Sequence, residues 1–511
     1  MFLNWIKSQI SYAINGLIGF VSSNALLIER SILTGILGCL LMQIDPFGLE
    51  SATQNQSEKF FNKYISSFFY PEDNQNKITV VLIDEKRQSG PPSYNRQARL
   101  IKTVLDHQPK AIFIDLDYKL PHPSPDGPSK LIETLEQAKV PVYLAVTAEP
   151  SEVSCMHDNK EVNNLNEHKE SKDFTNLVYK GVRVDGKESN DKIQRTITNW
   201  SKCKNKYPLR FKTKEVSEND GYISTPAFAM FEKYCEAPEN NERCKEVAKI
   251  KNSKNDIPPS FLVTWGRDTS DYSAELLNSF TTPDGTDATQ SKCSNYDLIE
   301  HFIAWLKYVV KIDSVQAPRS ICPYTNTIVS NMFNGSPKDV DCWMRILLRD
   351  KYVFIGAAMD YDNDSIPNPI NGKVPGVYLH AMAFDNLLTL GYEYYIDVND
   401  SQIFNFVALS LMSFFIAKRE RLLEDRFPEF LVVILTIVLI TLPMSLLLMA
   451  FVFLFHITPS NFVALAVMPF NIKYISDNVV SEINELTKKT AGKASTKTLG
   501  FINKLRKNKK P

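Results

Sequence analysis

Several acidic residues lie where apolar runs of the sequence end, and their spacing indicates a polar crevice. Asp84 follows the run Ile78–Ile83, and Asp115 and Asp117 follow the run Ala111–Ile114. Continuous apolar runs of this length are typical of strands buried in a parallel sheet, and ligands bind such sheets beside the carboxyl ends of the strands. We therefore expect these three carboxylates to meet at one edge of a sheet.

A second group of polar residues comes later in the same region. Asp364 lies shortly after another apolar run, Tyr352–Ile355, and His380 lies near the start of a predicted helix that ends at Leu390. Carboxylates and an imidazole together can bind a ligand through charge and hydrogen bonds. The predicted ligand-binding residues are therefore Asp84, Asp115, Asp117, Asp364 and His380.

The acidic residues around position 362 also raise the question of a metal site. Asp360, Asp362 and Asp364 alternate as the first three ligands of a calcium-binding loop do. The rest of that loop is missing, because Ser365 stands where the loop needs glycine and Asn371 where it needs glutamate. A divalent cation is compatible with the three carboxylates, but we favour acids that cap helices and brace turns. No cofactor is predicted.

Motifs for catalysis are absent from the sequence. It contains no G-x-S-x-G nucleophile motif, and Gly356, Gly372 and Gly376 do not form a phosphate-binding fingerprint. His380 is explained more simply as a histidine at a helix start than as a general base. We therefore expect a binding protein rather than an enzyme.

Seven of the eight cysteines lie in the middle region, and only Cys39 lies outside it. Such clustering is typical of an extracytoplasmic domain, where disulfides form. Because the number is odd, at least one of these thiols stays unpaired, and the sequence does not fix the pairing. Cys235 and Cys244 are the strongest candidates for a local disulfide, since the polar segment between them contains Pro238 and reads as a loop.

The charges balance, and the apolar residues are concentrated at both ends of the chain. The 58 Lys and Arg residues equal the 58 Asp and Glu residues, so no strong positive field favours nucleic acid. A membrane-spanning helix needs about 20 mostly apolar residues. The sequence predicts four spans after an amphipathic interfacial segment at residues 1–25, and these spans are residues 26–44, 401–417, 430–455 and 460–477.

Basic residues set the expected orientation of these spans. Lysine and arginine mark the cytoplasmic side of a membrane, and they are concentrated in the loop of residues 418–429 and the tail of residues 478–511. We therefore expect both termini in the cytoplasm and residues 45–400 outside. The basic tail would also contact anionic lipid. None of the four spans has a charged residue near its centre, which argues against ion transport.

The middle region alternates predicted strands and helices. The apolar runs Ile78–Ile83, Ala111–Ile114 and Val142–Val146 are separated by amphipathic helical segments. This β-α-β-α-β order predicts an α/β domain with a largely parallel sheet flanked by helices. Residues 151–341 are long and rich in cysteine, and their first part is polar, so we expect them to form an insertion in this domain.

The same region resembles the type-two CHASE domain, an extracellular sensor domain associated with cyclases and histidine kinases. The resemblance is carried by VVLIDEK from Val80, by YNRQARLIKTVLDHQPKAIFIDLDY from Tyr94, and by VFIGAAMDYDNDSIPNPINGKVPGVYLHAMAFDNLL from Val353. The family arrangement is one span before the domain and three after it, as the apolar runs predict here. Two features differ from the family: Pro92–Asn95 replaces its Trp-Pro-Trp, and residues 151–341 are longer than it implies.

The resemblance implies a sensor, but its output is not evident. Family members usually act through a fused cyclase or kinase, whereas only a short basic tail follows the fourth predicted span. We expect a multi-pass protein of the bacterial inner membrane that detects an unknown extracytoplasmic ligand and signals to a separate cytoplasmic or membrane partner. A homo-oligomer is compatible with this interpretation. Two alternatives stay open: a membrane component of an envelope-stress or defence system, in which the helix bundle is the working part, and a metal-dependent ectoenzyme.

Overall fold

The alternating strands and helices expected in the middle region are present in the computed structural model. The chain divides into two units, residues 61–395 and residues 1–60 with 396–511. Apart from a few single positions and pairs, the structure describes residues 25–44, 66–83, 92–116, 127–146, 192–198, 206–212, 222–237, 260–267, 322–334, 338–358, 365–368, 372–391 and 402–423.

The elements have the following bounds. The helices are α1 (Ala25–Ile44), α2 (Tyr94–Asp106), α3 (Ser129–Glu136), α4 (Pro226–Tyr234), α5 (Lys338–Leu348), α6 (Val377–Leu390) and α7 (Gln402–Leu423). The strands are β1 (Ile78–Ile83), β2 (Ala111–Asp115), β3 (Val142–Val146), β4 (Ile193–Ile197), β5 (Lys206–Pro208), β6 (Arg210–Lys212), β7 (Tyr222–Ser224), β8 (Ser260–Leu262), β9 (Asn326–Val329), β10 (Tyr352–Ala357), β11 (Ser365–Asn368), β12 (Gly372–Pro375), β13 (Ile396–Asp397) and β14 (Ile457–Thr458).

A six-stranded parallel sheet forms the centre of the unit of residues 61–395. Its strand order is β4-β3-β2-β10-β1-β9, and every neighbouring pair is parallel. The prediction of a parallel α/β domain is therefore confirmed. One feature was not predicted: β10, from late in the chain, lies between β1 and β2. The carboxyl ends of β1, β10 and β2 are consequently neighbours.

Parts of the segment predicted to be an insertion belong to this sheet. Both edge strands, β4 and β9, come from residues 151–341. Phe228 of α4 and Phe261 of β8 are buried in the same apolar cluster as the central strands. The described parts of this segment therefore complete the core, because the four central strands alone leave two open edges.

The two faces of the sheet bury alternate residues of each strand, as strand geometry requires. In β2, Ile112 and Ile114 pack in the cluster that contains α2, α3 and α5. Ala111 and Phe113 pack in the opposite cluster, which contains α4 and α6. Gly356 of β10 allows α6 to lie close to the sheet, because a Cβ atom at this position would be 2.5 Å from Val377 Cβ.

The other unit contains α1 and α7, which pack against each other. They cover the first two predicted spans, whereas residues 430–455 and 460–477 lie outside the part of the chain that the structure describes. Among the described residues, no helix has the length and apolar character needed to cross a membrane.

Candidate functional site

The alternation along β2 carries Asp115 to the α6 side of the sheet. Asp115 is the last residue of the strand and follows Ala111 and Phe113 on that face. His380 lies in the first turn of α6, and its imidazole packs against the Phe113 ring with centroids 5.2 Å apart. The strand end and the helix start therefore bring together two of the five predicted ligand-binding residues.

Asp115 and His380 face each other, and Tyr207 completes what we call the His380 cluster (Asp115, Tyr207 and His380). His380 Nε2 lies 3.8 Å from Asp115 Oδ2, which is longer than a hydrogen bond. Tyr207 Oη lies 2.8 Å from His380 Nδ1 and accepts the Ala227 N–H at 3.2 Å. The hydroxyl proton of Tyr207 is thus available for Nδ1, and we assign the imidazole proton to Nε2, on the side of Asp115.

Burial keeps the imidazole of this cluster neutral. The His380 side chain is only 4% exposed, and desolvation lowers its pKa to about 3. The pair with Asp115 is therefore not a charged salt bridge near neutral pH. Asp115 is more accessible, with 11% of its side chain exposed. Because the imidazole already accepts from Tyr207 through Nδ1, the group of this pair that can meet a ligand is the Asp115 carboxylate, which suits a ligand that donates hydrogen bonds or carries positive charge.

Tyr207 is held in place by the start of α4. Thr225 precedes that helix, and its hydroxyl donates to the carbonyls of Pro208 and Leu209, which follow Tyr207. The first backbone N–H groups of a helix have no partner within the helix, and here Ala227 donates its N–H to Tyr207. Sequence reasoning missed Tyr207 because it lies within residues 151–341, which were interpreted as an insertion.

A second polar group lies one to two turns further along α6, and we call it the Asp385 cluster (Tyr70, Asp385, Asn386 and Thr389). The hydroxyls of Tyr70 and Thr389 both donate to Asp385 Oδ1, at 2.8 Å and 3.0 Å. Asn386 Nδ2 donates to Tyr70 Oη and to the Thr264 carbonyl, at 2.8 Å and 2.9 Å. All four side chains of the cluster are buried.

Burial shifts the pKa of Asp385 in the opposite direction from the pKa of His380. Desolvation raises the pKa of the Asp385 carboxyl to about 7, and hydrogen bonds from Tyr70, Thr389 and Tyr324 oppose that rise. Sequence reasoning missed Asp385, although the sequence carries a signal for it. Asp385 is the only charged residue in the apolar helix α6, and a single acid in such a helix marks a position that needs partners.

The remaining predicted site residues lie outside the described part of the chain: Asp84, Asp117, Asp360, Asp362 and Asp364. Their predicted roles, including the calcium-like spacing, therefore stay predictions. Within the described residues, no group of three or more His, Cys, Asp or Glu side chains could hold a metal ion.

The structure contains the predicted disulfide. Cys235 and Cys244 are joined, with Cα atoms 5.4 Å apart. The bond closes the loop that follows α4, the helix whose start holds Tyr207. Cys322, which precedes β9, is disulfide-bonded as well, whereas Cys342 on α5 is a free thiol.

Comparison with known proteins gives one match. The family described as CHASE2 domain matches residues 32–416, about three quarters of the chain. No curated protein and no solved structure shows significant similarity to this chain.

Proposed function

The chain belongs to the CHASE2 domain family, and from that premise we propose that it is a membrane-bound sensor. Its α/β domain binds an extracytoplasmic signal and changes the packing of the flanking helices, which signal to a separate cytoplasmic or membrane partner. The extent of the family match carries this proposal. Residues 32–416 begin inside α1 and end inside α7, so the sensory domain and both helices belong to one family unit.

α1 and α7 pack so closely that a small displacement of either helix would disturb their contact. Gly35 of α1 faces Phe406 and Ser410 of α7, and a Cβ atom at Gly35 would collide with Ser410 Oγ. Ser31, one turn before Gly35, is also buried. Small residues four positions apart let two helices approach closely in a membrane. A rotation or displacement of either helix would break this contact, so the helix pair suits a two-state output.

The outer face of each helix carries a regular apolar pattern. Exposed apolar side chains repeat every four residues on each helix, at Ile32, Ile36 and Leu40 of α1 and at Val407, Leu411 and Phe415 of α7. Such stripes suit contact with lipid or with further spans. The membrane placement itself rests on the sequence, above all on residues 430–455, which contain no charged residue.

The His380 cluster supports a binding role for the domain. It lies where three parallel strands end, the place where α/β sheets bind ligands, and its carboxylate is partly exposed. Its imidazole is neutral and bonded to Tyr207, so we propose recognition rather than proton transfer as its role. Asp115→Asn should weaken the response to the signal and leave folding intact.

A bulky side chain placed between α1 and α7 tests whether the signal passes through their contact. Gly35→Leu places a large side chain against Ser410, whereas Ile36→Leu changes the next, exposed residue and serves as the matched control. A photoreactive amino acid at Leu505 of the full chain, in native membranes, captures the partner. We expect the wild type and Ile36→Leu to capture one protein in a signal-dependent way, and Gly35→Leu to capture it always or never. Unchanged capture by Gly35→Leu would contradict transmission through this contact.

The orientation needs its own test. Alkaline phosphatase folds only outside the cytoplasm, so a fusion after Gly391 should be active and a fusion at Pro511 inactive. The opposite pattern would contradict an external sensory domain.

A further inference from the structure

The Asp385 cluster connects two parts of the chain that are far apart in sequence. Tyr70 and Asn74 belong to what we call the pre-strand segment (residues 66–77), which leads into β1. Tyr70 donates to Asp385, and Asn74 Nδ2 donates to Thr389 Oγ1 at 3.0 Å. Two side chains of the pre-strand segment are therefore bonded to α6 through the Asp385 carboxyl and its immediate partner.

We propose that Asp385 is a proton-binding site, and that its protonation holds the pre-strand segment on α6 while its ionisation loosens this contact. The inference rests on the proposed sensor function and deepens it by adding the pH outside the cytoplasm as a second signal, beside the ligand of the His380 cluster. The pre-strand segment follows α1 along the chain and α6 precedes α7, so the contact joins the two stretches that lead to the helix pair.

The neutral carboxyl fits its surroundings better than the charged one. A protonated carboxyl still accepts the two hydroxyl hydrogen bonds at Oδ1, so the cluster keeps its geometry. An ionised carboxyl puts a charge where water hardly reaches, because Asp385 is only 2% exposed. A buried charge is costly unless a cation or enough donors offset it.

The charged and titratable groups around Asp385 only partly offset that charge. Lys77 is the cation that acts on it, but Lys77 Nζ donates to Asn74 Oδ1 at 2.8 Å and lies 5.9 Å from the Tyr234 ring centre. Tyr70 and Tyr324 act as neutral donors. His380, one to two turns earlier on α6, is neutral. The balance leaves the carboxyl with a pKa of about 7, so its charge changes near neutral pH.

Protonation of Asp385 can be observed directly in the full chain reconstituted in lipid. Infrared difference spectra between about pH 5.5 and pH 8.5 report loss of the carbonyl stretching band of protonated carboxylic acids. We expect one component with a midpoint near the pKa of about 7, present in the wild type and absent in Asp385→Asn. Asp106→Asn, at the exposed end of α2, is the matched control and should keep it. The same midpoint in Asp385→Asn would overturn the proposal.

A second variant keeps the test decisive if Asp385→Asn fails to fold. Tyr70→Phe removes one donor that stabilises the carboxylate, so the midpoint should rise by about one pH unit, a tenfold increase in proton affinity. An unchanged midpoint would show that the band comes from another carboxyl and would overturn the assignment.

Hydrogen–deuterium exchange tests the consequence for the pre-strand segment. After correction for the intrinsic pH dependence of exchange, residues 66–77 should lose protection above the midpoint in the wild type and keep it in Asp385→Asn. Equal protection on both sides of the midpoint in the wild type would contradict the switch. None of these measurements uses a partner or a signalling output. Failure of the sensor proposal would therefore leave them unchanged, and failure here would leave partner capture unchanged.

Discussion

His380 and Asp385 lie on the same helix, are both almost fully buried, and respond to burial in opposite ways. Desolvation favours the neutral form of any titratable group. For the base His380 it lowers the pKa to about 3, and for the acid Asp385 it raises the pKa to about 7. One cause therefore leaves His380 uncharged near neutral pH and gives Asp385 a charge that changes there.

The contrast has a consequence for stability. The folded pKa of Asp385 is raised, so its contribution is complete below its ordinary pKa of 3.8 and is lost as pH rises to about 7. The folded pKa of His380 is lowered, so its contribution is complete above its ordinary 6.5 and is lost as pH falls toward 3. Between these ordinary values the two effects oppose each other, and above pH 6.5 only Asp385 titrates.

Asp385→Asn should have the largest effect on the pH dependence of stability, because it removes the contribution that is lost as pH rises. The free energy of unfolding of the variant, relative to the wild type, should rise by about 4 kcal/mol between pH 4 and pH 8, since a pKa shift of about 3 is removed. Denaturant unfolding of the full chain at both pH values measures this difference. Asp106→Asn, whose carboxyl is exposed, is the matched control. An equal rise in both variants would mean that burial of Asp385 is not its cause.

His380→Gln removes the contribution to stability that is lost as pH falls. Glutamine does not titrate, so the stability of the variant relative to the wild type should rise by about 3 kcal/mol as pH falls from 7 to 4. His107→Gln, at the end of α2, is the same substitution outside the cluster. If the two variants behave alike at both pH values, burial of His380 does not govern its charge.

Gly356→Ala tests the close packing of α6 on β10, on which both clusters depend. The added methyl group would press on Val377 at the start of α6, and we expect a loss of about 2 kcal/mol from overpacking. Gly127→Ala is the matched control, because its nearest neighbour would be Ser129 Oγ at 4.0 Å. Equal stability of the two variants would mean that α6 adjusts its position freely.

Tyr207→Phe should give the smallest effect and confine it to one cluster. It removes the hydroxyl from His380 Nδ1 and from the Ala227 N–H, at a cost of about 1 kcal/mol. The infrared midpoint of Asp385 should not change. A shift of that midpoint would show that the two clusters are coupled along α6.

The sequence predicted the strands that are buried on both faces and not the edge strands. The runs in β1, β2, β3 and β10 are nearly all apolar, which is typical of central parallel strands. β4 (Ile193–Ile197) includes Gln194 and Arg195, and β9 (Asn326–Val329) is only four residues long, so neither gave a clear pattern. The place of β10 in the sheet depends on tertiary pairing, which no local pattern encodes.

The site was predictable only where it depends on strand ends. Asp115 and His380 were both placed at the crevice, because the end of a parallel strand and the start of a following helix meet at one edge of the sheet. Tyr207 was missed, because a short strand in a long polar segment carries little periodicity. Asp385 was missed although it interrupts an apolar helix, since its partner Tyr70 is 315 residues away in sequence.

The late arrival of β10 has a consequence for biosynthesis. The ribosome completes β1 and β2 long before it makes the strand that pairs with both of them. During that interval two strongly apolar strands have unpaired edges, the condition under which nascent chains aggregate. These edges stay unpaired until residue 357 is made. A premature stop codon anywhere between β2 and β10 would yield an insoluble fragment rather than a smaller folded one.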